Sequence, residues 1–196
     1  MNNNGHPYID LCLPSGTLWS TQNVGASTPS DSGLYFQWAY TRGFSKDQVG
    51  TENWKKKFVL DWSYIFTKYT TTGATLELID DAAHVNMGGD WHIPNPTQIK
   101  ELLDNTTNKW ATLDGVKGRL FTSKKETSKS IFIPAAGEIR LGSSVCFIGF
   151  VGEIWSSMLS ADSIYGAQRL SFSSKDAGLY TYLYRYYGLS VRGVIG

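Results

Sequence analysis

The run from Gly178 to Gly188, Gly-Leu-Tyr-Thr-Tyr-Leu-Tyr-Arg-Tyr-Tyr-Gly, restricts this chain more than any other stretch. Side chains of an extended strand alternate between two faces. A strand here therefore sends Tyr180, Tyr182, Tyr184 and Tyr186 to one side and Leu179, Thr181, Leu183 and Arg185 to the other. Upstream, Gln168 to Ser173 alternates as well, and Ser174 to Gly178 supplies turn chemistry. Downstream, Gly188 permits a tight turn, and Leu189, Val191 and Ile195 alternate with Ser190, Arg192 and Val194 as a closing strand. The pattern predicts a three-stranded antiparallel meander at the carboxyl end.

A tyrosine offers a large flat ring and one hydroxyl with only two side-chain torsions to freeze, which suits adaptable recognition surfaces. Six of the eleven tyrosines lie between Tyr165 and Tyr187, interleaved with polar residues rather than with a continuous aliphatic pattern. The alternative is a cross-strand ladder that only glues the sheet, each pair contributing about 0.2–1 kcal/mol. Burying four hydroxyls would demand four partners, so an outward-facing surface is the favoured expectation. Its candidate ligand contacts are Tyr165, Gln168, Lys175, Asp176, Tyr180, Tyr182, Tyr184 and Tyr186.

At 196 residues the chain is long enough for one domain with a real core. A formal charge of +1 gives no long-range field, so nucleic acid is not an expected partner. No run approaches a membrane span, and membrane insertion is not expected. The amino terminus has no basic region followed by an apolar core, so no export signal is read there. The expected setting is a virion surface, or otherwise an extracellular domain cut from a longer protein. Cys12 and Cys146 are too few for a disulfide framework and have no zinc-type spacing; buried free thiols are expected.

Tyr8 to Leu13 reads as a strand, Pro14 to Gly16 as a turn and Thr17 to Ser20 as a second strand. Thr28 or Ser30 is positioned to cap a short helix running into Leu34 to Trp38. The segment from 41 to 75, with Lys55 to Lys57 among aromatics, reads as long irregular connections. Asp80 to Asn86 predicts a short helical turn, broken at Gly88 and Gly89, and Trp91 to Pro94 an extended piece. Asn95, Pro96 and Gln98 have the form of a capping box, followed by a helix whose apolar stripe is Ile99, Leu102 and Leu103. Asp114 and Gly115 mark a turn. Gly118 to Thr122 and Ser130 to Pro134 predict two strands joined by a polar hairpin.

Several of these stretches, in this order, carry a resemblance that covers nearly the whole chain. Tyr8-Ile-Asp-Leu, Leu13 to Trp19, Asn23-Val-Gly-Ala, Asp80 to Asn86, Gly89 to Pro94, Ile131 to Gly137, Trp155-Ser-Ser and Tyr184 to Arg192 together resemble the Fibrobacter succinogenes major paralogous domain. That family is similar to formylglycine-generating-enzyme-like domains and to the variable proteins of diversity-generating retroelements, some of them phage receptor-binding proteins. The resemblance implies an α+β domain of C-type lectin-like fold, with small mostly antiparallel sheets, two helices and long loops. It also implies a variable ligand surface between Trp155 and Tyr187, with Trp91, Trp155 and Arg192 as scaffold. Position 92 is His where the family usually has Arg, and position 193 is Gly where Pro or Cys is frequent.

Enzyme readings find little purchase. The formylglycine-generating relatives use reactive cysteines near the end of the domain, and none follows Cys146 here. His6, His84 or His92 with Ser156 or Ser157 lacks a nucleophile elbow or a paired acid. Asp80, Asp81 and His84 have helical spacing for a metal, but the two acids read as capping groups at a helix N-terminus instead. The carboxylate-rich signatures of calcium-dependent lectins are absent, and no cofactor is expected. The expected function is thus non-enzymatic binding of a cell-surface protein or glycan by a phage virion or retroelement-diversified protein. The competing expectation is a structural virion module, or a homo-oligomer, that uses the same tyrosines as a permanent subunit interface. A domain of a bacterial cell-surface adhesin is the remaining alternative.

Overall fold

The computed structural model describes residues 1–50, 67–140 and 144–196. The basic run Lys55 to Lys57 and the aromatics near it lie outside the described residues. The chain opens with β1 (Asn2–Asn3), β2 (His6–Asp10), β3 (Leu18–Asn23) and β4 (Tyr35–Phe36), followed by helices α1 (Ala82–Met87) and α2 (Pro96–Asn105). Next come β5 (Thr106–Leu113), β6 (Val116–Ser123), β7 (Ser130–Pro134), β8 (Glu138–Ile139) and β9 (Val145–Cys146). The last elements are β10 (Gly152–Leu159), β11 (Gly166–Phe172), β12 (Ala177–Tyr184), β13 (Leu189–Ser190) and β14 (Arg192–Ile195). Among the described residues the sheets run β1-β2-β3-β14, β12-β11-β10-β13-β4, β5-β6-β7 and β8-β9. Among the described residues β10 with β13 is the one parallel pair, and the architecture there is α+β with mostly antiparallel sheets and two α-helices.

Both helices begin where side-chain chemistry satisfies the free backbone N–H groups of a first turn. Asp81 caps α1 by accepting from the Ala83 and His84 amides, and its other oxygen accepts from Ile93 N at 2.8 Å, pinning the extended piece after Gly89. Burial pushes the Asp81 carboxyl up, and those three amides oppose the shift. In α2 the capping box closes both ways: Gln98 N donates to Asn95 Oδ1 at 2.9 Å and Asn95 N donates to Gln98 Oε1 at 3.0 Å. Ile99 and Leu102 are fully buried and Leu103 packs at the edge of the same cluster. Replacing Asn95 with Ala should cost about 1 kcal/mol in urea unfolding, with the slope of the transition unchanged.

Two apolar clusters flank the five-stranded sheet. Neighbouring residues of β10 alternate between them: Ile154 joins Leu11, Trp19, Ile99 and Phe121, while Trp155 joins Trp38, Trp91, Leu159 and Leu189. Trp91, Trp155 and Arg192 are all fully buried.

Several sequence expectations give way. No helix follows Thr28 or Ser30. Tyr35 and Phe36 are consecutive and both buried, a pattern that suits a strand covered on two sides, and they pair with Ser190 and Leu189. Thr106 to Leu113 forms a full strand that the sequence reading passed over. It is paired with β6 through Asp114 and Gly115, whose φ angles of 50° and 79° make the two-residue hairpin turn. The carboxyl-terminal meander is not three-stranded. The expected closing strand splits: β13 lies parallel beside β10, and β14 leaves to pair with β3. This crossing brings the backbone of Gly193 against α1 and Trp91, where an added Cβ would stand 2.7 Å from Met87 Sδ and 3.0 Å from the Trp91 ring. Cys12 and Cys146 are free thiols but only half-buried, and Lys129 Nζ donates to Cys12 Sγ at 3.2 Å.

Candidate functional site

Strand β12 is the edge of the five-stranded sheet, and its register against β11 is broken once. Arg169 faces Tyr180 and Ala167 faces Leu183, so the single residue Gln168 is opposed by Thr181 and Tyr182. Such a bulge adds one residue and reverses the alternation beyond it. The consequence is visible in the leucines: Leu179 packs against the Ile154 cluster, whereas Leu183, four residues on, packs against the Trp155 cluster. The tyrosines therefore do not stand in one continuous row.

They form two groups. Tyr180 is 43% exposed, lies 5.3 Å from the Arg169 guanidinium and points its hydroxyl toward Asp176 Oδ2 at 3.5 Å. Beyond the bulge, Tyr182 packs edge-on to Tyr184 at 5.4 Å. Tyr184 in turn stacks on Tyr186 at 5.0 Å and leans on Tyr187 at 5.7 Å. Tyr182 and Tyr184 are each 39% exposed and Tyr165 is 49% exposed. The Tyr182 ring covers Gly166 so closely that a Cβ there would fall 2.3 Å from it, which leaves glycine as the residue that fits. Partial burial raises the phenol pKa values of Tyr182, Tyr186 and Tyr187, so these rings keep their protons at neutral pH.

Arg185 holds the turn that carries Tyr184, Tyr186 and Tyr187. It is 1% exposed, sits 5.0 Å from the Trp38 ring and donates to the carbonyls of Tyr69, Ile164 and Lys68. Its own amide donates to Tyr165 O and its carbonyl accepts from Trp38 N. Burial lowers its pKa to about 10, which still leaves a cation at neutral pH.

Two of the sequence-derived contacts do not reach the surface. Tyr186 follows the end of β12, is 8% exposed and backs Tyr184 from below. Gln168, opposite the bulge, lies on a central strand, is equally buried and donates to Leu159 O, where the register of β10 against β11 also shifts. Lys175 and Asp176 are exposed in the turn between β11 and β12, where Ser173 Oγ donates to Asp176 Oδ1.

The geometry adds residues the sequence reading missed. A pocket of about 330 Å³ opens beside Tyr180, with Glu138, Arg140, Phe147, Glu153 and Ser171 among its walls. Glu138 and Glu153 are 3% and 4% exposed. Arg140 Nε donates to Glu138 Oε1 at 2.6 Å, and Arg169 Nε donates to Glu153 Oε1 at 2.8 Å, with Ser171 Oγ on the same oxygen at 3.0 Å. Arg140 also spans two rings, 4.8 Å from Phe147 and 5.8 Å from Tyr187, and so joins the pocket to the tyrosine group. Phe147, Ile148 and Phe150 are exposed on the loop between β9 and β10. The signal for them was the apolar run Cys146-Phe-Ile-Gly-Phe inside a segment otherwise read as loop. Glu138 and Glu153 gave none, since what makes them unusual is their meeting across fifteen residues.

The histidines and serines weighed as a hydrolytic set do not assemble. Ser156 is fully buried, His6 packs on Trp91, and His84 and His92 contact backbone carbonyls. Among the described residues no group of three or more His, Cys, Asp or Glu is placed to hold a metal ion, and no helix is long and apolar enough to cross a membrane. No family model matches the chain, and no curated protein or solved structure is significantly similar to it.

Proposed function

We propose that this chain is a non-enzymatic binding domain that engages a cell-surface protein or glycan through Tyr165, Tyr180, Tyr182 and Tyr184 and the pocket beside them. The observation that carries this reading is the contrast in how the chain disposes of its aromatics. Trp19, Trp38, Trp91 and Trp155 are sealed in the core, while these four tyrosines stay 39–49% exposed on one edge strand and its neighbouring loop. Exposed apolar clusters rimmed by polar groups are characteristic of interaction sites. The rings offer flat faces for apolar or sugar surfaces, and the hydroxyls, Lys175 and Asp176 offer polar fit. The motif resemblance supplies the remainder: a C-type lectin-like fold, with which the small antiparallel sheets and two helices agree, and a setting on a phage virion or in a retroelement-diversified protein.

The test is the triple substitution Tyr180→Ser, Tyr182→Ser and Tyr184→Ser. Binding to a printed array of defined glycans, or to intact host cells, should fall more than tenfold, a loss of at least about 1.4 kcal/mol. Thermal unfolding should shift by only a few degrees, because the lost ring contacts are part-exposed. A folded triple variant that binds as well as the parent overturns the proposal. An oligomer that resists dilution and dissociates in the triple variant points instead to the subunit-interface reading.

A further inference from the structure

We propose that Glu138 and Glu153 share a single proton and that its loss as pH rises rearranges the aromatic surface, making the site responsive to pH. Both carboxylates are nearly sealed from water, and in each one oxygen, Oε1, is committed to an arginine. The remaining oxygens, Glu138 Oε2 and Glu153 Oε2, are buried and meet no donor from any other residue among those described. An ionised carboxylate oxygen left bare in the interior costs several kcal/mol. The two side chains are within hydrogen-bonding reach of each other, and two carboxylates in contact relieve both the mutual repulsion and the missing donor by keeping one proton between them.

The groups facing this pair come from every element around it. Arg169 and Ser171 approach from β11, Arg140 from the end of β8, Asp176 from the turn before β12, Tyr180 from β12, and Tyr187 and Cys146 lie within electrostatic range of Arg140. Burial is the largest influence on Glu153, raising it to about 7 against the opposing pull of Arg169. Physiological pH changes therefore cross its titration. Loss of the proton to solvent leaves two adjacent carboxylates that repel each other, and each is tethered to an arginine that touches the surface. Arg169 lies over Tyr180 and donates to Tyr182 O, while Arg140 spans Phe147 and Tyr187. Separation of the carboxylates thus moves rings in both tyrosine groups.

The link to recognition rests on the proposed binding role of these rings, but the shared proton can be tested without any ligand. In the full chain with carbon-13 in the glutamate carboxyls and tyrosine rings, NMR between about pH 5 and pH 9 follows both directly. The expected result is a carboxyl titration near pH 7 assigned to the pair, accompanied at the same midpoint by shifts in Tyr180 and Tyr187. In Glu153→Gln, whose amide supplies the donor permanently, those tyrosine shifts should disappear while the spectrum stays folded. If both carboxyls finish titrating below about pH 5.5, or the tyrosine shifts persist in Glu153→Gln, the proposal fails. Should the carboxyl pair titrate and the tyrosine signals shift as expected in a protein that binds no glycan or cell surface, the proton switch stands and the binding role is what falls. Glycans retained on the array at pH 6 should be bound at least tenfold more weakly at pH 8 by the parent, and equally at both by Glu153→Gln.

Discussion

Replacing Arg192 with Ala should destabilise the chain by about 3–5 kcal/mol, a large share of the stability of a domain this size. The side chain is fully buried, and among the described residues none of its hydrogen bonds goes to a carboxylate. Its Nε donates to Asn23 Oδ1 at 2.9 Å, Nη1 to Ser20 O at 3.0 Å and Nη2 to Phe132 O at 3.2 Å. One guanidinium thus ties β14 to β3 in one sheet and to β7 in another. Desolvation lowers its pKa to about 9, which leaves it charged at neutral pH and held, among the described residues, by backbone and amide dipoles. Alanine would leave a cavity and strip three buried acceptors of their donor. Lysine would not rescue it, because a single ammonium cannot reach three acceptors in a planar fork. Urea unfolding of the two variants measures the effect; a loss under about 1 kcal/mol for alanine would show that water or repacking replaces the fork.

Stability should also fall as pH rises from about 4.5 to about 7, and Glu153→Gln should remove that component. Glu153 is a carboxylic acid whose folded pKa, about 7, lies above its ordinary value of 4.5. Between those two values the folded chain binds more protons at this group than the unfolded chain does. Its contribution is therefore complete below pH 4.5, declines through the window and is lost above pH 7. At about 1.4 kcal/mol per pH unit the window is worth on the order of 3 kcal/mol. Other carboxyls add their own pH dependence: Asp81 is raised by burial, and Asp80, despite its own desolvation, is lowered by Lys68 and Tyr69. The informative quantity is accordingly the difference between parent and Glu153→Gln, measured by urea unfolding at pH 5 and pH 8. Glutamine should be the more stable of the two at pH 8. A constant difference across that range would mean that Glu153 titrates as an ordinary acid.

Some of this molecule is local and was legible from the residues. The capping box at Asn95 and Gln98, the cap at Asp81, the breaks at Gly88 and Gly89 and the turn at Asp114 and Gly115 each depend on a few neighbouring residues, and each forms where the sequence places it. The exposed character of Tyr180, Tyr182 and Tyr184 was legible too, because so many hydroxyls have no economical way to be buried together. Tertiary structure decided the rest. A one-residue bulge opposite Gln168 reversed the alternation that strict periodicity assumes, and no local signal announces which pair in a strand will slip. The closing strand divided between two sheets because Leu189 and Val191 were claimed by one core and Val194 by the other. Glu138 and Glu153 became a pair only when the fold brought them into the wall of one pocket, since the cost of sharing a buried space depends on who the neighbours are and not on the residues alone.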